Sequence, residues 1–249
     1  MKLEGKVSLI TGGVRGIGAA TVRELAGRGS DIVVMDRELG AEAEALREQV
    51  ETLGRRIFLA GADLSNPQAI LGSVQAAAEW LGRLDVLVHC AGGPANGGLM
   101  EVSPEDWYRA FDIHVHAAFH LCRAAVPLMR RCKEGAIVLI ASAAGFRGCL
   151  GAIAYGVVKG AIPQFARDLA RELADDNIRV NAVAPGIIRT RFQDSLTPEQ
   201  VKNNIERRIP LHREGRPEDV AQAIALLVTN DFITGETVVV DGGMSMRIV

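Results

Sequence analysis

The chain has 249 residues, 48% of them hydrophobic, and 28 basic against 30 acidic side chains leave a net charge of -2. That length and apolar content suit one large α/β domain with a sizeable core, and the near-neutral balance offers no electrostatic footprint for nucleic acid. No signal-peptide core precedes the first strand-like run and no apolar stretch is long enough to span a bilayer, so the expectation is a soluble, cytoplasmic protein with no membrane partner.

Val7-Ser8-Leu9-Ile10 reads as a short buried strand, followed by the glycine-rich stretch from Thr11 to Gly18 and then a helix with Val22, Leu25 and Ala26 on its apolar face. Ile32–Met35 is a second strand, ending at Asp36. Leu39, Ala43, Leu46, Val50 and Leu53 then recur at helical spacing. Ile57–Ala60 is a third strand, Ile70, Val74, Ala77 and Leu81 mark a helix, and Val86–Val88 is a fourth strand. Ser103 is placed to cap a helix with Pro104 as its first residue and Asp106 in its first turn, running to about Arg131. Ala136–Ile140 is a fifth strand, and a helix carrying Tyr155 and Lys159 follows. Val180–Val183 and Thr237–Val240 complete seven strands, with helix starts between them at Thr197-Pro198 and Arg216-Pro217. Short apolar strands alternating with amphipathic helices predict a parallel sheet covered on both faces, with ligands beyond the carboxyl ends of its strands.

The chemistry-bearing residues fall at those ends. Gly12, Gly16 and Gly18, with Arg15 and Ile17 among them, lie between a strand and a helix. A dinucleotide pyrophosphate fits there, at the helix N-terminus. Asp36, eighteen residues after Gly18, can accept hydrogen bonds from a ribose diol and repel a 2′-phosphate, which favours NAD over NADP. Arg15 and Arg37 pull the other way, since either attracts a 2′-phosphate. Asp63, beside Leu64 at the next strand end, either bonds an adenine or merely shapes a helix-entry turn. Ser142 follows the fifth strand, while Tyr155 and Lys159 are four apart on one helix face. Tyr has an ordinary pKa of about 10, and a nearby ammonium lowers it, so Tyr155 is suited to proton transfer with Ser142 holding the substrate oxygen.

Other candidates are weaker. His116 and His120 are spaced i, i+4, but no carboxylate or cysteine completes a metal site at obvious spacing, and surface or interface histidines are expected. Cys90, Cys122, Cys132 and Cys149 show no metal-ligand spacing and are expected to be reduced thiols. Arg189, Arg191, Arg207 and Arg208 either grip an anionic substrate or decorate a solvated lid near 187–212. Phe146, Pro94, Ile188 and Phe192 are candidates to line an apolar pocket.

Taken together, Thr11-Gly12-x-x-x-Gly16-x-Gly18, Asp63, Ala91-Gly92, Ser142 with Tyr155-x-x-x-Lys159, Pro185-Gly186 with Thr190, and Asp241-Gly242-Gly243 resemble the short-chain dehydrogenase/reductase family over essentially the whole chain. The resemblance implies a Rossmann-like, doubly wound, seven-stranded parallel sheet, an NAD(P)-linked alcohol/ketone reaction, and a homotetramer or homodimer. It makes Tyr155 the acid/base, Ser142 the group that positions the substrate oxygen, and Lys159 the residue that lowers the Tyr155 pKa and holds the nicotinamide ribose. It assigns the carboxamide to Thr190 and the backbone near Ile188. Three departures stand out: His89-Cys90 where the family has two asparagines, His114 where it has a catalytic asparagine, and Pro163 inside the Tyr155 helix, where a local kink is expected. The leading expectation is an NAD-dependent dehydrogenase for a secondary alcohol or its ketone. The alternatives are an NADPH-dependent 3-oxoacyl-carrier-protein reductase and a nucleotide sensor that has lost turnover.

Overall fold

The computed structural model describes residues 1–194 and 196–246. Seven parallel strands form one sheet in the order β3-β2-β1-β4-β5-β6-β7. They are β1 (Val7–Thr11), β2 (Asp31–Asp36), β3 (Ile57–Gly61), β4 (Val86–His89), β5 (Gly135–Ile140), β6 (Ile178–Pro185) and β7 (Thr237–Val240). The helices that connect and flank them are α1 (Gly16–Gly27), α2 (Ala41–Thr52), α3 (Pro67–Leu81), α4 (Pro104–Phe111), α5 (Ala117–Cys132), α6 (Ile153–Leu173), α7 (Pro198–Asn203) and α8 (Pro217–Thr229).

Strand alternation sorts the core into two layers, because successive side chains point to opposite faces. Leu9, Leu87 and Ile137 pack under Ile70, Leu121 and Ile162 of α3, α5 and α6. Their neighbours Ile10, Val88 and Val138 pack under Leu25, Leu46 and Ile224 of α1, α2 and α8. Both faces are therefore covered, as the apolar runs predict.

Helix starts follow their caps. Ser103 Oγ accepts from the Asp106 N–H at 3.0 Å, Thr197 and Gln200 form a reciprocal capping box, and Asp219 accepts from the Arg216 N–H at 2.8 Å. Asn66 caps α3 in the same way, through the N–H groups of Gln68 and Ala69. Leu39 and Leu53, expected on the buried stripe of α2, instead lie outside the helix and are exposed; Ala43, Leu46 and Val50 carry the stripe. Pro163 sits buried within α6, which runs unbroken to Leu173. The helix from Pro104 to Cys132 is interrupted by a π-helical turn at Asp112–His116. Such turns widen a helix by one residue and recur at functional sites.

Candidate active site

The sheet order reverses between β1 and β4, and a crevice opens there beyond the strand ends. A cavity of about 440 Å³ fills it, lined by Gly12, Arg15, Gly16, Ile17 and Gly18, by Asp36 and Arg37, by Asp63 and Leu64, and by Ala91, Gly92 and Thr190. The turn after β1 is tight: a Cβ on Gly18 would lie 2.0 Å from the Gly12 carbonyl oxygen, so only glycine lets the loop fold onto the start of α1. A glycine cradle at a helix N-terminus beside a cleft of this size fits a dinucleotide.

Asp36 lines the cleft at the end of β2 and accepts from the Val14 N–H at 3.2 Å. Asp63 shapes the helix-entry turn considered for it, its carboxylate accepting from the Ser65 N–H and hydroxyl, each at 2.9 Å, and it also lines the cleft. Those bonds hold it below the usual carboxylate range. Sequence reasoning missed Glu38 and Glu42. Arg15 is gripped by Glu38 at 2.6 Å and by Glu42 at 2.8 Å, and Arg191 reaches the same Glu42 at 2.8 Å. The only signal for them was acidic residues closely following Asp36.

Pro185, Gly186 and Ile188 lie outside this cavity. The Gly186 backbone packs on Asp241, and Ile188 is buried in the core with its backbone bridged to Gly215. The apolar candidates also separate: Phe192 lines the cleft, Pro94 an adjoining cavity and Ile188 a third, while Phe146 is exposed. Of the arginines between 187 and 212, Arg189 pairs with Glu214 at 2.5 Å and Arg208 donates to Asn204 at 2.9 Å.

The catalytic candidates converge. Ser142, just past β5, caps a short 3-10 turn by accepting from the Ala144 N–H at 3.2 Å. Its hydroxyl also lies near enough to the Tyr155 phenol to favour the ionised form of that group. Lys159, one turn further along α6, is 5% exposed and donates from Nζ to the Ile140 carbonyl at 2.8 Å. Burial pushes its ammonium down to about 8. Tyr155 lies above its ordinary value, because burial outweighs the lowering influence of Ser142. The expected lowering by Lys159 is not found: the ammonium is turned onto Ile140 and stands 5.8 Å from the centre of the phenol ring. His114 meets Tyr155 edge-on, ring centres 5.9 Å apart, and Phe192 covers it from the other element at 5.8 Å. His114 occupies the π turn, is 3% exposed, and has its Nε2 3.1 Å from the Gly93 carbonyl oxygen.

His116 bonds Asp112, and among the described residues no cluster of three or more His, Cys, Asp or Glu side chains could hold a metal. The four cysteines are free thiols. No helix among the described residues is long and apolar enough to cross a membrane.

Known proteins share this fold. The family model described as enoyl-(acyl carrier protein) reductase matches residues 12–245. A 3-oxoacyl-[acyl-carrier-protein] reductase from Thermotoga maritima is 35% identical over 246 residues, 98% of this chain and 99% of that protein. Among solved structures, a putative short-chain alcohol dehydrogenase from Sinorhizobium meliloti matches with a TM-score of 0.94 at 32% identity, covering 99% of each chain. L-sorbose reductase from Gluconobacter frateurii, complexed with NADPH and L-sorbose, matches with a TM-score of 0.92 at 29% identity, covering 100% of this chain and 99% of that one. The chain belongs to the short-chain dehydrogenase/reductase family of nicotinamide-dependent oxidoreductases.

Proposed function

We propose that this enzyme interconverts a secondary alcohol and its ketone, preferring NAD to NADP, with Tyr155 as the acid/base. The observation that carries the reading is the convergence of Ser142, Tyr155 and Lys159 where Phe192 joins the dinucleotide-sized cleft to the phenol. A nicotinamide bound there supplies or accepts the hydride. The protein supplies the rest. Ser142 holds the substrate oxygen, Tyr155 gives or takes its proton, and the Lys159 ammonium, redirected from Ile140, stabilises the phenolate. The glycine loop would hold the pyrophosphate and Asp36 the ribose diol, with Tyr155, Lys159, Thr190 and the backbone of Pro185, Gly186 and Ile188 on the nicotinamide side.

His114 supports the site through its backbone turn rather than as a proton carrier. Burial, then the Lys159 and His89 charges, push its imidazole down to about 2, so it stays neutral at working pH. Cofactor choice rests on Arg15. A guanidinium able to take a 2′-phosphate is already held by Glu38 and Glu42, while Asp36 faces the cleft. Segment 187–212, which brings Phe192 onto Tyr155, acts as the substrate lid. Exposed Phe119 and Val157 on α5 and α6 suit burial in a homotetramer or homodimer.

A second reading, 3-oxoacyl-carrier-protein reduction with NADPH, is favoured by the name of the Thermotoga maritima relative and by Arg37 at the cleft mouth. Nicotinamide absorbance, followed across secondary alcohols, ketones and 3-oxoacyl thioesters with each cofactor, separates the two. Turnover of an alcohol or ketone with NAD(H) favoured is the expected result; turnover of 3-oxoacyl thioesters with NADPH alone establishes the second reading. Tyr155→Phe should lose roughly 10²–10⁴-fold in rate while binding cofactor normally. A Phe variant retaining more than about a tenth of the rate would remove Tyr155 from the acid/base role.

A further inference from the structure

The dinucleotide cleft is lined by three arginines, Arg15, Arg37 and Arg191, and each is paired with an acid. The pairs share their carboxylates. Arg15 donates from Nη2 to one Glu38 oxygen at 2.6 Å and holds Nε 2.8 Å from one Glu42 oxygen. The other Glu38 oxygen stands 3.7 Å from Arg37, and the other Glu42 oxygen accepts from Arg191 at 2.8 Å. Two carboxylates thus hold three guanidinium groups, with Arg15 in the middle and bound on both sides.

Local geometry builds this clamp. Asp36 accepts from the Val14 N–H through one oxygen, at 3.2 Å, and from the Glu38 N–H through the other, at 3.5 Å. One carboxylate therefore ties the glycine loop to the turn after β2 and sets Arg15 beside Glu38. Glu42 follows in the first turn of α2. The clamp opposes a 2′-phosphate in two ways. Arg15 can offer its donor fork to a phosphate only by giving up both carboxylates at once. The released carboxylates would then face the phosphate together with Asp36, and like charges at such range repel. Each exposed ion pair is weak alone, so the effect comes from the pairs acting together.

We propose that Glu38 and Glu42 are specificity-determining residues, which select against the 2′-phosphate of NADP by holding Arg15 and, through Glu38, Arg37. This rests on the reading of the cleft as a nicotinamide dinucleotide site. The role of Arg15 is then conditional. It is an ion-pair partner while Glu38 and Glu42 are present and a phosphate-binding group once they are gone.

Fluorescence titration with NADH and with NADPH tests this without turnover or substrate. The readout is the ratio of the two dissociation constants, because a change in how widely the cleft opens affects both cofactors alike. Glu38→Gln/Glu42→Gln should move that ratio towards NADPH by about tenfold, the scale of one hydrogen bond between charged groups. Each single substitution should move it the same way by less. Both side chains are exposed, so these variants keep the fold, as thermal melting checks. Arg15→Gln should then take more NADPH affinity from the double variant than from the wild type, the mark of coupled groups. A ratio unmoved by the double substitution, or an equal loss from Arg15→Gln in both backgrounds, would overturn the proposal and leave NADH binding and the catalytic reading intact. A wild-type protein that binds neither cofactor would overturn the reading of the cleft, and the proposal with it.

Discussion

Burying an imidazole changes what acid does to this protein. His89 and His114 are pushed down to about 3 and about 2, chiefly by burial and then by the nearby Lys159 charge. Both folded values lie below the unfolded value of about 6.5, so the unfolded chain binds more protons across the interval between them. Their stabilising contribution is complete above about pH 6.5 and is lost as pH falls towards about 3, at up to about 1.4 kcal/mol per pH unit for each histidine. The carboxylates held low by partners, Glu38, Asp63, Asp219 and Asp231, add their own loss only below about pH 4.5. Denaturant midpoints should therefore fall between pH 6.5 and 5, and His114→Asn should shallow that slope by up to about one proton. An unchanged slope in the variant would mean that His114 titrates normally in the folded protein.

The π turn is held in place partly by what glycine leaves out. A Cβ on Gly92 would sit 2.3 Å from His114 Cε1, and that ring is pinned by Gly93 and walled in by Tyr155. Gly92→Ala should accordingly destabilise by about 1–3 kcal/mol, the range for overpacking a closed interior. Combining it with His114→Asn, which shortens the side chain, should recover much of that stability in thermal melts. Equal losses in the single and double variants would place the strain elsewhere. The elements themselves were legible in the sequence, because each signal is local: the apolar runs of the seven strands, the Ser103 and Thr197 caps, and the glycine loop after Thr11. The π turn was not. It is a shift of hydrogen-bond register, and Asp112-Ile113-His114 carries no compositional trace of it. Periodicity likewise overextended α2 to Leu39 and Leu53, since spacing alone cannot say where a helix leaves the sheet. Ser142, Tyr155 and Lys159 could be found together because a strand end and one helical turn fix them. Glu42 could not, because its meeting with Arg15 and Arg191 depends on how three separate elements are laid across the sheet.

Across the whole molecule, the mouth of the cleft is a chain of alternating charges. Arg191, Glu42, Arg15, Glu38 and Arg37 follow one another, with Arg37 3.7 Å from Glu38. Asp36 lies just inside. Asp36→Ala should narrow the preference for NAD by removing both the diol acceptor and the repulsive charge, as read from kcat/KM with each cofactor; equal values already in the wild type would mean that Arg15 or Arg37 outweighs Asp36. The pair between Arg191 and Glu42 has a different consequence, one of timing. Arg191 follows Thr190, at the start of the segment that carries Phe192, whereas Glu42 belongs to α2 on the far side of the opening. Arg191 lines the dinucleotide-sized cleft, so a cofactor held there would lie beside one end of that bridge. Both partners are solvent-exposed, so the bridge is weak at rest and screened further by salt. Cofactor escape should accordingly quicken as ionic strength rises, and Glu42→Gln should give fast escape at every salt concentration. Stopped-flow displacement of NADH measures this directly, and a release rate indifferent to both salt and Glu42 would leave the gate to Phe192.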